Sequence, residues 1–260
     1  FAELLAAANV FLLTLGKITQ EFLLMAMDEF RIIRLPDGFV QGSSIMPQKR
    51  NPVALEHVRA IASRALGESL GVFTAVHNTP FGDINDVEDD LQPLILISLK
   101  NAVRSANLLG ASLRNAKFDI AKMEAKAGEN FITATELADT LVRREGISFR
   151  QAHRIVAKAI AAALEGGEEL RADSIRRIFK AETGNELSMS QEEITETFSP
   201  KHFVEVRNIL GGPSPDEVRR ALAVERTREK EDLEWLKIVE DFLSNAQNEL
   251  NDAIDKILSV

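Results

Sequence analysis

Apolar positions recur with a helical period from the start of the chain. Leu4, Leu5, Ala8, Leu12 and Leu15 share one face of residues 1–30, and the segment is apolar almost all round. That pattern predicts a long helix with neighbours on several sides. No capping residue precedes it, so the expectation is a chain that starts inside a helix. Leu35-Pro36-Asp37-Gly38 breaks the pattern. A second long helix is predicted from Pro52 to about Val76. The turn-forming run at residues 78–83 follows, and a third helix opens near Pro93, carrying Leu94, Ile97, Val103, Ala106, Leu109 and Leu113.

Past Phe118 the helices become shorter and their ends sharper. Thr133 and Glu136, Ser148 and Gln151, Ser190 and Glu193, and Ser214 and Glu217 each have the spacing of a capping box, and Pro215 adds a favoured first helical residue. Gly146, Gly166-Gly167 and Gly211-Gly212 supply stops. No period-two run rich in β-branched residues occurs, so the predicted fold is all-α. The last segment holds Leu236, Val239, Leu243, Ala246, Leu250, Ala253 and Ile257 at alternating spacings of three and four. That is a coiled-coil seam of barely three heptads, open to reading as a docked or paired helix or as an ordinary amphipathic one. The charges crowded at residues 225–234 read as a solvated, paired surface. Three regions are expected: 1–115 as part of a long-helix bundle, 116–223 as a small helical domain, and 224–260 as a charged terminal helix.

Composition narrows the function classes. The chain has 260 residues, a net charge of -9 and no cysteine. Disulfides and thiolate metal sites are excluded, and the acidic balance speaks against nucleic acid or an anionic membrane as a bulk partner. Glu3, Lys17, Glu21, Asp28 and Glu29 interrupt the apolar first segment, so no membrane span is expected, and the chain reads as soluble and cytoplasmic. The four histidines, His57, His77, His153 and His202, lie far apart with no paired spacing, so no zinc site is expected.

The densest chemistry lies in residues 42–56, GSSIMPQKRNPVALE. Ser43 and Ser44 precede Lys49 and Asn51, and Glu56 follows. Asn51-Pro52 reads as an N-cap followed by proline at the first helical position. Unpaired N–H groups and the positive helix end would then face the serines and seat a carboxylate. A serine is a poor base in water. Beside Lys49 and backbone donors, in a site closed by the loop, it could take a weakly acidic C–H proton. The alternative is a serine-rich loop that only starts a helix.

That string resembles the signature loop of the fumarase/aspartase superfamily. The resemblance implies elimination of fumarate from a succinyl compound without metal or cofactor, with Ser43 as catalytic base. Lys49 and Asn51 would hold the substrate carboxylate, Glu56 would be the acid that partners a catalytic histidine, and Ser44 and Met46 would line the loop near the fumaroyl moiety. Residues 118–160 and 199–218 resemble the small C-terminal domain of argininosuccinate lyases, and the likeness runs from Phe1 to about Ala223. It implies three long helices per subunit in a homotetrameric central bundle, with active sites shared between subunits and an N-succinyl amine as small-molecule substrate.

Two departures from the family stand out. Its N-terminal portion, with the histidine and the loop that grips the substrate, has no counterpart here. In addition, the acidic stretch 79–93 places Asp83, Glu88 and Leu91 where argininosuccinate lyases carry a tyrosine, a glutamine and a lysine. Asp83 and Glu88 are therefore candidate substrate contacts that would suit a different amine, or else, with Asp86, Asp89 and Asp90, part of an exposed acidic turn. The expected reaction is argininosuccinate cleavage to arginine and fumarate. A related lyase acting on another N-substituted aspartate, or a non-catalytic helical scaffold, are the alternatives.

Overall fold

A computed structural model describes residues 1–46, 48–82, 85–166 and 170–259, without the side chains of residues 85, 86 and 88. Among the described residues helices dominate, and the strands form one short antiparallel ribbon. The chain divides into two compact units, Phe1–Glu124 and Ala125–Val260.

Three long helices build the first unit: α1 (Ala2–Ala26), α2 (Val53–Val76) and α3 (Asn85–Asn115). Leu12 and Leu15 of α1 meet Val58, Ala62 and Ala65 of α2 and Ala102 of α3 in one cluster, where the alanines let the helices approach closely. Leu5, Val72 and Leu91 form a second cluster. Ser98 Oγ donates to the Ala65 carbonyl at 2.9 Å, and Asn101 Nδ2 donates to Glu68 Oε2 at 2.8 Å, tying α2 to α3.

The first helix ends at Ala26, four residues before the sequence pattern does. Phe30 and Arg31 both donate backbone N–H groups to the Met27 carbonyl, and Arg31 takes the left-handed conformation at φ 47°. The chain then doubles back as β1 (Ile33–Arg34), paired antiparallel with β2 (Lys117–Phe118). Ile33 and Leu35 gain a buried site against Leu55, which outweighs another turn of exposed helix.

Two other expectations need correction. Pro93 does not open α3 but sits inside it, because the helix already starts at Asn85. Residues 86–90 thus lie on helical backbone rather than in a free turn, with Asp89 and Asp90 exposed in the first turns, where the helix dipole favours acids. Leu91 is a core residue, 7% exposed.

The second unit contains α4 (Ile120–Ala127) only in its last residues, then α5 (Ala134–Glu145), α6 (Phe149–Gly166), α7 (Ala172–Thr183), α8 (Gln191–Glu196), α9 (Pro200–Glu205) and α10 (Pro215–Leu258). Its core is one cluster built on Leu137, Leu141, Ile155, Ile175, Phe179, Met189 and Ile194. Ser190 and Glu193 cap each other reciprocally, as do Ser148 and Gln151. Thr133 and Glu136 do not. The Thr133 hydroxyl donates to the Phe198 carbonyl, and the Glu136 carboxylate turns inward to Arg143 and Arg207. Ser214 accepts from the Glu217 N–H, but the Glu217 carboxylate accepts from the Gly211 N–H and from Arg220, so that box is half formed. Gly146 is the left-handed C-cap of α5 at φ 66°, as a stop requires, whereas α9 already ends at Glu205 with Val206 as its cap, and Gly211, left-handed at φ 78°, lies in the turn before α10. α6 ends at Gly166, and Gly167 lies outside the described residues.

Candidate active site

The loop between the 3-10 turn at Asp37–Phe39 and α2 is pinned at both ends. Gln41 and Asn51 exchange two backbone hydrogen bonds, the Gln41 N–H to the Asn51 carbonyl at 2.9 Å and the Asn51 N–H to the Gln41 carbonyl at 3.0 Å. Arg50 adds a clamp, donating to Asp37 Oδ1 at 2.5 Å and to the Leu35 carbonyl at 3.0 Å. The guanidinium holds the Asp37 carboxyl below its ordinary range, first through the hydrogen bond and then through its charge. Sequence reasoning missed Arg50. Its sign was available, since a third polar side chain next to Lys49 and Asn51 needs a partner, and Asp37 is the nearest upstream acid outside the loop.

Within the loop Ser43 is half-buried, and its Oγ accepts N–H groups from Ile45 at 3.3 Å and Met46 at 3.2 Å. Two donors aimed at one hydroxyl oxygen stabilise negative charge there, which is the direction a serine base requires. Ser44, Met46 and Lys49 are exposed. Lys49 makes no ion pair among the described residues. Glu56 is exposed on the first turn of α2, and the neighbouring His57 is also exposed.

The expected helix cap is corrected here. The residue before the first turn of α2 is Pro52, not Asn51, and no side chain caps the helix. Asn51 instead spends its backbone on the bridge to Gln41. The N–H groups of Val53, Leu55 and Glu56 already reach the Asn51 and Pro52 carbonyls, so few helix-end donors remain for an anion.

A cavity of about 760 Å³ opens beside the loop, between the end of α1, the β1–β2 ribbon and residues 48–52. Arg31, Arg34, Lys49, Arg50 and Lys117 give its wall a cationic excess over Asp28, Glu29 and Asp119, and Asn51 lines it too. The structure therefore brings Lys49 and Asn51 to one wall. Ser43, Ser44, Met46 and Glu56 lie outside that lining. Asp83 lies outside the described residues, as does the side chain of Glu88.

Comparison with known proteins decides the family. The model described as argininosuccinate lyase C-terminal matches residues 131–205, and the model described as lyase matches residues 1–67, the stretch that holds the loop. Argininosuccinate lyase 2 of Agrobacterium fabrum is 39% identical over 226 residues, covering 85% of this chain and 44% of that protein. The chain belongs to the argininosuccinate lyase family of the fumarase/aspartase superfamily. Argininosuccinate lyase of Methanoculleus marisnigri is 35% identical over 250 residues, covering 94% of this chain and 49% of its own length. The chain thus spans about half the length of the curated relatives it matches. Among solved structures, an EDDS lyase variant with bound fumarate superposes with a TM-score of 0.85 at 29% identity, over 98% of this chain and 51% of that one. The 3-carboxy-cis,cis-muconate lactonizing enzyme of Pseudomonas putida, at 23% identity and a TM-score of 0.53 over 78% of this chain and 44% of that one, shares the fold. The all-α long-helix architecture is that of fumarase/aspartase-superfamily lyases of known structure.

Proposed function

We propose that this chain carries the catalytic loop of an argininosuccinate lyase that splits argininosuccinate into arginine and fumarate. The observation that carries the reading is the loop itself: Ser43 Oγ with two N–H donors, in a chain whose relatives at 35–39% identity are argininosuccinate lyases. Ser43, as alkoxide, takes a proton from the carbon next to a substrate carboxylate. The electron pair moves into that carboxylate, and Lys49 and Asn51 hold the resulting dianion. It then returns to form the double bond of fumarate as the C–N bond breaks, and an acid from outside this chain protonates the departing nitrogen. Ser44 and Met46 line the fumaroyl end, and Glu56 orients the acid-side histidine.

The assembly we propose is a homotetramer in the cytoplasm, serving arginine biosynthesis. Val10, Phe11 and Leu13 on α1, Leu70 on α2 and Leu96 and Val103 on α3 are exposed, a wide apolar surface that subunit packing would cover. α1 is also long and apolar enough to cross a membrane by length and composition, with Leu5, Leu12, Leu15 and Thr19 buried on one side. Buried contacts with α2 and α3 on that side favour the bundle.

A second reading has its own support. The likeness to an EDDS lyase over nearly the whole chain, together with Asp83 and Glu88 in the acidic stretch, fits a lyase acting on another N-substituted aspartate. Fumarate absorbance on the assembled enzyme separates the two. Turnover of argininosuccinate supports the first. Turnover of other N-succinyl amines with argininosuccinate inert establishes the second, and inertness toward all of them leaves the helical scaffold.

A further inference from the structure

The α10 helix is 44 residues long, roughly 66 Å at 1.5 Å per residue, yet only its start is anchored. Beyond Glu217 every described residue is exposed except Val239, which is half-buried. Even so, the last third carries a continuous apolar stripe. Phe242 is 70% exposed, Leu243 60%, Leu250 54% and Ile257 75%. A lone helix of this kind does not hold its shape in water through propensity alone.

We infer that residues 233–257 of α10 pair, antiparallel, with the same segment of a second copy of this chain. The side-chain sizes along the seam point to that partner. Leu236, Leu243 and Leu250 alternate with the smaller Val239, Ala246 and Ala253. In an antiparallel pair centred between Ser244 and Asn245, Leu236 faces Ala253 of the second copy, Leu243 faces Ala246, and Leu250 faces Val239. Every layer matches one large with one small side chain, which is how knobs fill holes without voids. Parallel pairing in register would stack Ala246 on Ala246 and Ala253 on Ala253 between layers of paired leucines, leaving gaps.

Charge selects the same arrangement. Continued toward the N-terminus, the seam positions become Asp232, Glu229 and Glu225. Parallel pairing would set each acid against its own copy, a desolvated like-charge contact. Antiparallel pairing separates each acid from its own copy, with Asp232 beside Ile257 at the edge of the apolar zone and Glu229 and Glu225 further out. The flanking positions are also compatible, since Trp235 meets Lys256, Phe242 meets the stem of Glu249, and Leu233 meets Ile254. A membrane surface fits less well. Residues 225–258 hold ten acidic and five basic side chains, whereas an interfacial helix carries lysine and arginine on its polar face. Trp235 and Phe242 each bring roughly 150–250 Å² of contact surface. With the aliphatic layers, the strip approaches the roughly 800 Å² per partner of a standard interface.

The pairing does not depend on the enzymatic reading, and the absence of cysteine makes its test clean. In the full chain, Leu236→Cys and Ala253→Cys are introduced singly and together and oxidised at micromolar concentration. The two sites lie about 25 Å apart along one helix, too far for a bond within one copy. Paired thiols experience an effective concentration on the order of millimolar, so the doubly substituted chain should form covalent dimers on the order of a hundredfold faster than either single variant. Adding Leu243→Glu, at an exposed position that folding of the subunit does not use, should return the double variant to the single-variant rate. Equal cross-linking of Leu236→Cys alone would establish parallel pairing and overturn the inference. So would collisional rates in every variant with helix content intact by circular dichroism.

Discussion

Glu136 offers the sharpest test of how the second unit is held together. It is 1% exposed, and its carboxylate joins three donors. Thr140 Oγ1 donates to Oε1 at 3.0 Å, Arg143 donates to the same oxygen, and Arg207 Nη1 donates to Oε2 at 2.8 Å. Arg207 also stacks on the Phe203 ring at 3.5 Å, so the group links α5 to the region after α9. Glu136→Gln preserves the volume but must point its NH₂ either at Arg207 or at the Thr140 and Arg143 donors. One charge-assisted bond is lost, worth about 1.5–3 kcal/mol, and a donor faces a donor. Removing one member of a buried pair costs about 3–5 kcal/mol. Arg207 keeps the Phe203 carbonyl at 2.6 Å and Asp139 at 3.4 Å, which argues for the lower end. We expect a loss of about 2–3 kcal/mol. For a unit of this size that lowers the melting temperature by about 7–10 °C in calorimetry. A double-mutant cycle with Arg207→Leu should return a coupling of at least about 1.5 kcal/mol. A melting temperature within about 2 °C of the parent, or a coupling below about 0.5 kcal/mol, would refute the assignment.

Two further outcomes follow from the turn before α10. A Cβ at Gly212 would lie 2.1 Å from the Arg207 carbonyl oxygen and 2.9 Å from that of Ile209, so Gly212→Ala should cost about 1–3 kcal/mol in urea unfolding, whereas Gly38→Ala, where a Cβ meets nothing, should cost far less. Glu217, held by Arg220 and then by the Gly211 N–H, has its pKa lowered from 4.5 to about 2. Its contribution is therefore complete above about pH 5 and lost as pH falls toward 2. Glu217→Gln should flatten the acid side of the stability curve in that window, and an unchanged acid limb would remove the residue from this role.

The helices were legible where local chemistry and burial agree. The span of α2, the Ser190–Glu193 box and the stop at Gly146 could be read directly, because an apolar period, a reciprocal cap and a left-handed glycine are local matters. Misreadings arose where a distant partner decided. The Thr133–Glu136 pair has capping spacing, but both side chains are claimed by Phe198, Arg143 and Arg207, up to 71 positions away in sequence. Pro93 looked like a helix start because proline favours the first turn, yet burial of Leu91 against Leu5 and Val72 extends α3 past it. In the loop, the residue types were visible and their grouping was not. The Gln41–Asn51 bridge and the Arg50–Asp37 clamp turn Lys49 and Asn51 to one cationic cavity, whereas Ser43 is held by its own loop.

Ser43→Ala is the most direct measurement of the central claim. In the assembled enzyme, supplied with every segment its active site needs, fumarate release from argininosuccinate should fall by at least about 10²-fold, the lower range for loss of a general base. Substrate binding by calorimetry should stay near the parent affinity. A rate within a few-fold of the parent, with binding intact, would contradict the assignment of Ser43 as the group that takes the proton from carbon.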